Sequence, residues 1–141
     1  MLEHLSIFIE NKPGKLNRIV EILGGAGINI RAYSIAGAGA FGVLKILVDN
    51  PQEAAQLLFS KGLAVAKRPI LVVSVKDSPG ELYRLLNLLS SSGVNVSDSY
   101  GFLLPDKTAA IVLECDDCET AEKIILRNGV RLFRSTVDLS L

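Results

Sequence analysis

Histidine is almost missing from this sequence, with His4 the single one among 141 residues. The serines, including the run Ser90-Ser91-Ser92, therefore have no base to activate them, and nucleophilic catalysis lacks its parts. That run reads more simply as a helix end. Cysteine is scarce as well. Cys115 and Cys118 are too few and too close for a disulfide framework. Their C-x-x-C spacing is half a zinc site with no second pair to complete four ligands. Two aspartates between the thiols oppose thiolate formation, against a redox role. No enzyme activity, metal or cofactor is expected. Net charge is also absent, because fifteen basic residues balance fifteen acidic ones and no block of one sign occurs. That removes the electrostatic footprint of a nucleic-acid partner. Aromatics at 6%, without a basic-aromatic motif on a strand, exclude an RNA-reading sheet. No apolar run approaches the roughly 20 residues that span a bilayer. The start Met1-Leu2-Glu3-His4-Leu5 lacks the basic and apolar regions of a signal peptide, so a cytoplasmic location is expected.

What the sequence does have is apolar material, 49% of residues, and a repeat. An offset of 66 carries Pro13-Gly14 onto Pro79-Gly80 and Leu16, Ile19, Val20 and Leu23 onto Leu82, Leu85, Leu86 and Leu89. The same offset carries Gly27-Ile28-Asn29-Ile30 onto Gly93-Val94-Asn95-Val96. One register matching a turn, a helical stripe and a Gly-x-Asn signal marks a duplication. Two domains are expected, residues 1–68 and 69–141.

Each copy carries the same order of signals. Residues 5–10 and 71–76 are short β-branched runs ended by Asn-Lys-Pro-Gly and Asp-Ser-Pro-Gly, which predicts a strand stopped by a turn. A helix follows, its apolar residues recurring at i, i+3, i+4 and i+7 as one buried face requires, and glycines end it. Two strands come next, over 28–36 and 42–48, then 94–103 and 108–115. They are split by Gly37-Ala38-Gly39-Ala40 and by Leu104-Pro105-Asp106-Lys107. Second helices are predicted over 51–61 and 118–128, and last strands over 63–67 and 130–139. The order β-α-β-β-α-β is the ferredoxin-like pattern. The fold class is therefore α+β, two such units with antiparallel sheets and helices on one face. Apolar side chains in 43–48 point to both faces, so the open face needs cover. Units of this size are also marginal alone, and pairing as a homodimer answers both needs.

Glu10-Asn11-Lys12-Pro13-Gly14-Lys15-Leu16 with Gly27-Ile28-Asn29-Ile30 resembles the signature of ACT domains. So does its echo, Asp77-Ser78-Pro79-Gly80-Glu81-Leu82 with Gly93-Val94-Asn95-Val96. ACT domains are small ligand-sensing modules of amino-acid metabolism. The first copy is similar to the opening of acetolactate synthase small regulatory subunits, and the tandem to free-standing double ACT proteins. The resemblance implies a non-catalytic regulator with an amino-acid effector, held between the strand-to-helix loop of one unit and the second strand of a neighbour. It implies a regulated enzyme partner and, as site residues, Asn11, Lys12, Pro13, Gly14, Lys15, Leu16, Asn29 and Ile30. In the second copy these are Asp77, Ser78, Pro79, Gly80, Glu81, Leu82, Asn95 and Val96. Serine-sensing members place a histidine two residues before the first asparagine. Ile9 and Val75 stand there, which points instead to a branched-chain or aromatic amino acid.

The chemistry of the residues agrees with such a ligand. A helix N-terminus offers free N–H groups and the positive end of a dipole to a carboxylate. Asn11, Asn29 and Asn95 offer side-chain carbonyls to an ammonium, and Asp77 offers a full negative charge. The loop bearing Asp77 should therefore favour cations more than the loop bearing Asn11. A structural reading stands beside this one. Pro-Gly is a common turn, asparagine after glycine also serves a left-handed backbone, and the same fold without a ligand would be an interaction subunit. The hairpin Gly37-Ala38-Gly39-Ala40 is bland where polar groups would be expected beside a ligand.

Overall fold

A computed structural model describes residues 1–139. The chain divides into two compact units, Glu3–Arg68, and Pro69–Leu141 with Met1–Leu2; residues 140 and 141 of the second predicted domain lie outside the described residues.

In the first unit, β1 (Leu2–Glu10), α1 (Lys15–Gly25), β2 (Ile30–Ala38), β3 (Phe41–Val48) and α2 (Pro51–Ser60) lead into β4 (Ala64–Lys76). β3 pairs antiparallel with both β1 and β2, and the strand order is β2-β3-β1-β4. Leu5, Ile7, Leu44 and Ile46 from one sheet face meet Ile19 and Leu23 of α1 and Ala54 and Leu58 of α2 in a closed core. The second unit repeats this arrangement with the later part of β4, α3 (Glu81–Ser90), β5 (Val96–Leu103), β6 (Thr108–Cys115), α4 (Cys118–Arg127) and β7 (Arg131–Leu132). β6 pairs antiparallel with β4 and β5, and β7 with the outer side of β4. Its core joins Leu71, Val73 and Leu113 to Leu85, Leu89, Ala121 and Ile125. This is the α+β, ferredoxin-like order expected from the repeat.

The helical stripe needs one correction. Ile19, Leu23, Leu85 and Leu89 are buried, but Val20 and Leu82 are 42% and 48% exposed. Successive turns of these short helices bury an i, i+4 pair, and the i+1 and i−3 flanks lie at the rim.

The strand expected over residues 130–139 is also different. Only Arg131–Leu132 pairs with β4, and a 3-10 helix follows at Thr136–Leu139. Leu132 sits opposite Val73, and the Phe133 N–H donates to the Val72 carbonyl at 2.8 Å. Side chains alternate between faces, so Phe133 shares the open face with Val72, away from the helices. Phe133, Thr136 and Leu139 are all buried. Continuing the strand would have aimed Thr136 to the face opposite Phe133 and Leu139; turning at Ser135, whose hydroxyl and carbonyl accept the Val137 and Asp138 N–H groups, keeps all three inside. In the first unit the corresponding face carries Phe8, Phe41 and Val43, each 38–52% exposed. The two phenyl rings stack at 5.0 Å.

Candidate functional site

The loop between β1 and α1 forms the wall of a cleft of about 340 Å³ lined by Ile9, Glu10, Asn11, Lys12, Pro13, Gly14, Leu16, Ile35, Gly37 and Gly42. Gly14 is the N-cap of α1, at φ 85°, ψ −10°, and no side chain caps the helix. A left-handed cap is open to glycine at no steric cost. The Lys15 N–H is turned back to the Lys12 carbonyl at 3.3 Å, and Arg18 donates to the Gly14 carbonyl. The amides of Leu16 and Asn17 have no acceptor among the described residues. Free donors at the positive end of a helix suit an anion. Pro13 stands two residues before the first helical position.

Asn11 ties this loop to the β2–β3 hairpin. Its backbone N–H donates to the Ala40 carbonyl at 2.9 Å and its Nδ2 to the Gly39 carbonyl at 3.1 Å. A Cβ on Gly37 would lie 2.9 Å from that Nδ2, closer than such atoms pack. The bland hairpin therefore has a physical reason: Gly37 leaves room for the amide of Asn11, and Gly39 takes φ 64° in a two-residue turn with glycine first. With Nδ2 engaged, the Oδ1 of Asn11 accepts nothing among the described residues and is left for a donor from a ligand.

Charge at the cleft mouth is set by Glu10, which pairs with Lys12 at 2.9 Å and Lys15 at 3.4 Å. Hydrogen bonds from Lys12, then Lys15, hold its carboxyl below the usual range. One carboxylate between two ammonium groups leaves an excess positive charge beside the open amides.

Asn29 and Ile30 are not part of this cleft. They follow the other end of α1, eleven residues long, hence about 16 Å away along the helix. Neither Asn29 nor Asn95 takes a left-handed backbone; Gly27 and Gly93 do, at φ 73° and 77°. The Asn29 carbonyl accepts the Asp49 N–H. Asn95 is held by Asp116, whose carboxylate accepts the Asn95 N–H at 3.0 Å and whose own N–H donates back to Asn95. Asn95 and Val96 border a shallow hollow with Leu86, Ser90, Gly93 and Val94.

The second strand-to-helix loop has the same backbone and opposite charge. Gly80 is the N-cap of α3 at φ 89°, and Glu81 N–H turns back to the Ser78 carbonyl. Lys76, Asp77 and Glu81 stand where the first loop has Glu10, Asn11 and Lys15. Asp77, Ser78, Pro79 and Gly80 are exposed, and Glu81 lines a different cleft with Lys76, Arg84 and Arg131. Sequence reasoning missed Glu10, Ile35, Gly37 and Gly42 in the first cleft. A carboxylate flanked by two lysines was the available signal for Glu10; the others needed the strand register.

The remaining motif is the Cys-x-x-Cys pair. Cys115 and Cys118 are free thiols. Burial first, then Cys118, Asp116 and Asp117, push the Cys115 thiol up to about 12. Asp117 instead caps α4, its carboxylate accepting the Thr120 N–H at 3.0 Å and hydroxyl at 2.6 Å. No helix of the described residues is long and apolar enough to cross a membrane.

A family model described as an ACT domain pair matches residues 1–140. Among solved structures, a Bacteroides thetaiotaomicron protein is 30% identical, with a TM-score of 0.88 over 94% of this chain and 91% of that one. The regulatory subunit of aspartate kinase from Thermus thermophilus is 17% identical, with a TM-score of 0.68 over 89% of this chain and 91% of that one. Its counterpart from Thermus flavus is 20% identical, with a TM-score of 0.63 over 89% and 90%. The aspartate kinase subunits share the fold. No curated protein matches this chain.

Proposed function

This chain belongs to the family of ACT domain pairs, and on that premise we propose that it is a non-catalytic, cytoplasmic regulator that binds a small amino acid at the first strand-to-helix loop. The ligand carboxylate sits on the free amides of Leu16 and Asn17, with Lys12 and Lys15 beside it. Its ammonium donates to Asn11 Oδ1, and its side chain lies against Ile9 and Ile35. A branched-chain or aromatic side chain suits that wall. Asn29 and Ile30 of a neighbouring unit close the cleft in a homodimer, which accounts for their distance from it within one unit. The same role for residues 77–82, with Asn95 and Val96, is weaker, because that loop carries the opposite charge. The observation that carries the reading is the open α1 N-terminus facing a cleft of about 340 Å³, a volume suited to small ligands. Partner enzymes of amino-acid metabolism fit a regulator of this kind, as the name of the Thermus aspartate kinase subunits suggests.

Thermal-shift screening against the twenty amino acids tests it, since a ligand that binds only the folded chain stabilises it by about 2.7 kcal/mol at a hundredfold excess over Kd. The expected hit loses its shift in Asn11→Ala and in the double variant Lys12→Gln, Lys15→Gln. Glu10→Gln, which frees both ammonium groups, should tighten binding by about threefold, the modest effect of exposed charges. No shift with any amino acid at millimolar concentration leaves the ligand-free interaction subunit as the better reading. The exposed Phe8 and Phe41 pair is the feature that favours that alternative.

A further inference from the structure

The second unit contains a cleft of about 410 Å³ that the amino-acid reading does not use. Its floor is apolar, from Val75, Leu88 and Val130, and its rim carries Lys76, Arg84, Arg131, Glu81, Thr108 and Asn128. Three cations and one carboxylate line it, in a chain whose total charge is zero. Lys76 and Arg84 form no ion pair among the described residues. Arg131 is steadied over the ring of Phe133 at 4.8 Å, a contact that holds a guanidinium without neutralising it. Asp106 adds a second negative charge that Arg131 feels; its carboxylate accepts the Thr108 N–H at 3.0 Å and hydroxyl at 2.6 Å. The Nδ2 of Asn128 donates to the Ile124 carbonyl at 2.8 Å, which leaves its Oδ1 toward the rim.

The duplication sharpens the point. At the offset of 66, Lys76 and Glu81 stand where the first copy has Glu10 and Lys15, and that first pair is closed at 3.4 Å. Ala64 opens β4 where Arg131 opens β7, one residue being inserted between the copies. Arg84 has its counterpart in Arg18, so Lys76 and Arg131 are what make the rim of the second copy more positive than that of the first.

We propose that this cleft binds a small organic anion with two anionic groups, Arg84 taking one through its planar fork, Lys76 the other, and Arg131 adding its charge from the strand edge. The shared chemistry is a doubly anionic metabolite, either a dicarboxylate or a phosphoryl compound. Isothermal titration of the full chain with succinate and with pyrophosphate, at fixed ionic strength set by sodium chloride, separates the two sources. At least one probe should bind, with Kd raised about tenfold or more in Arg84→Gln and in Lys76→Gln, as loss of a charged hydrogen bond implies. Arg84→Lys should recover only part of that loss. Lys12→Gln with Lys15→Gln should leave this binding unchanged while abolishing the amino-acid response, so the two readings fail separately. Binding lost with the Lys12 and Lys15 pair, or equal in wild type, Arg84→Gln and Lys76→Gln, or no heat with either probe, overturns the proposal.

Discussion

A methyl group added at Gly37 would meet Asn11 Nδ2 at 2.9 Å, so Gly37→Ala should displace the Asn11 side chain and break its bond to Gly39. The expected cost is about 1 kcal/mol, the net worth of one such bond, read from urea unfolding. In an Asn11→Ala background the same substitution should cost little, because the clash and the bond are both gone; equal costs in the two backgrounds would show that the pair does not interact. This contact explains why the hairpin was hard to read from sequence. Its glycines are blank as letters, and their reason is a side chain 26 positions away. Cys115 gives a second residue-level expectation. A thiol raised from its ordinary 9.0 to about 12 stays protonated in the folded chain. Its contribution to stability is whole below pH 9 and is lost as pH rises toward 12. At pH 8 only about one ten-thousandth is thiolate, so peptide mapping after iodoacetamide should find Cys115 unmodified in the native chain and labelled in urea.

Among the elements, helix starts follow two different recipes. α1 and α3 begin on bare left-handed glycines. α2 and α4 begin on Asn50 and Asp117, whose side chains accept the Glu53 and Thr120 N–H groups. Uncapped starts leave backbone donors open, and capped starts use one of theirs. Asn50→Ala should therefore destabilise the chain by about 1 kcal/mol, with no change in amino-acid binding; a loss of binding at saturating ligand would contradict this division. Element order, the antiparallel sheets and the centre of the buried stripe, Ile19, Leu23, Leu85 and Leu89, were legible in the sequence because the period of apolar residues and the Pro-Gly punctuation repeat at one offset. The last strand of the second copy was not. Val130 and Leu132, then Val137 and Leu139, alternate with polar neighbours as strand residues do, and only the need to cover Val72 and its face distinguishes a strand from a turn back.

For the molecule as a whole, duplication has preserved two backbones and separated their electrostatics. The first strand-to-helix loop holds one acidic and two basic side chains, Glu10, Lys12 and Lys15, and the second holds one basic and two acidic, Lys76, Asp77 and Glu81. Equal, independent sites are not expected. Calorimetry with neutral amino acids should give a stoichiometry near one per chain, and Asp77→Asn should leave that titration intact. The same variant should weaken any response to lysine or arginine; two indistinguishable sites unaffected by it would refute the asymmetry. The position of the candidate loops was readable from sequence, as was the sign of their difference. The cleft at Lys76, Arg84 and Arg131 was not, since its walls come from four elements that only the fold assembles.

Synthesis gives the segment at residues 133–139 a further importance. The first unit has all its strands once the ribosome has passed Arg68. In the second, the face that bears Val72 stays open until Phe133, whose N–H donates to the Val72 carbonyl, and the turn after it have emerged. A nascent chain stalled just short of Phe133 would present a sticky β-surface to its neighbours. Docking of residues 133–139 is thus the step that ends this hazard.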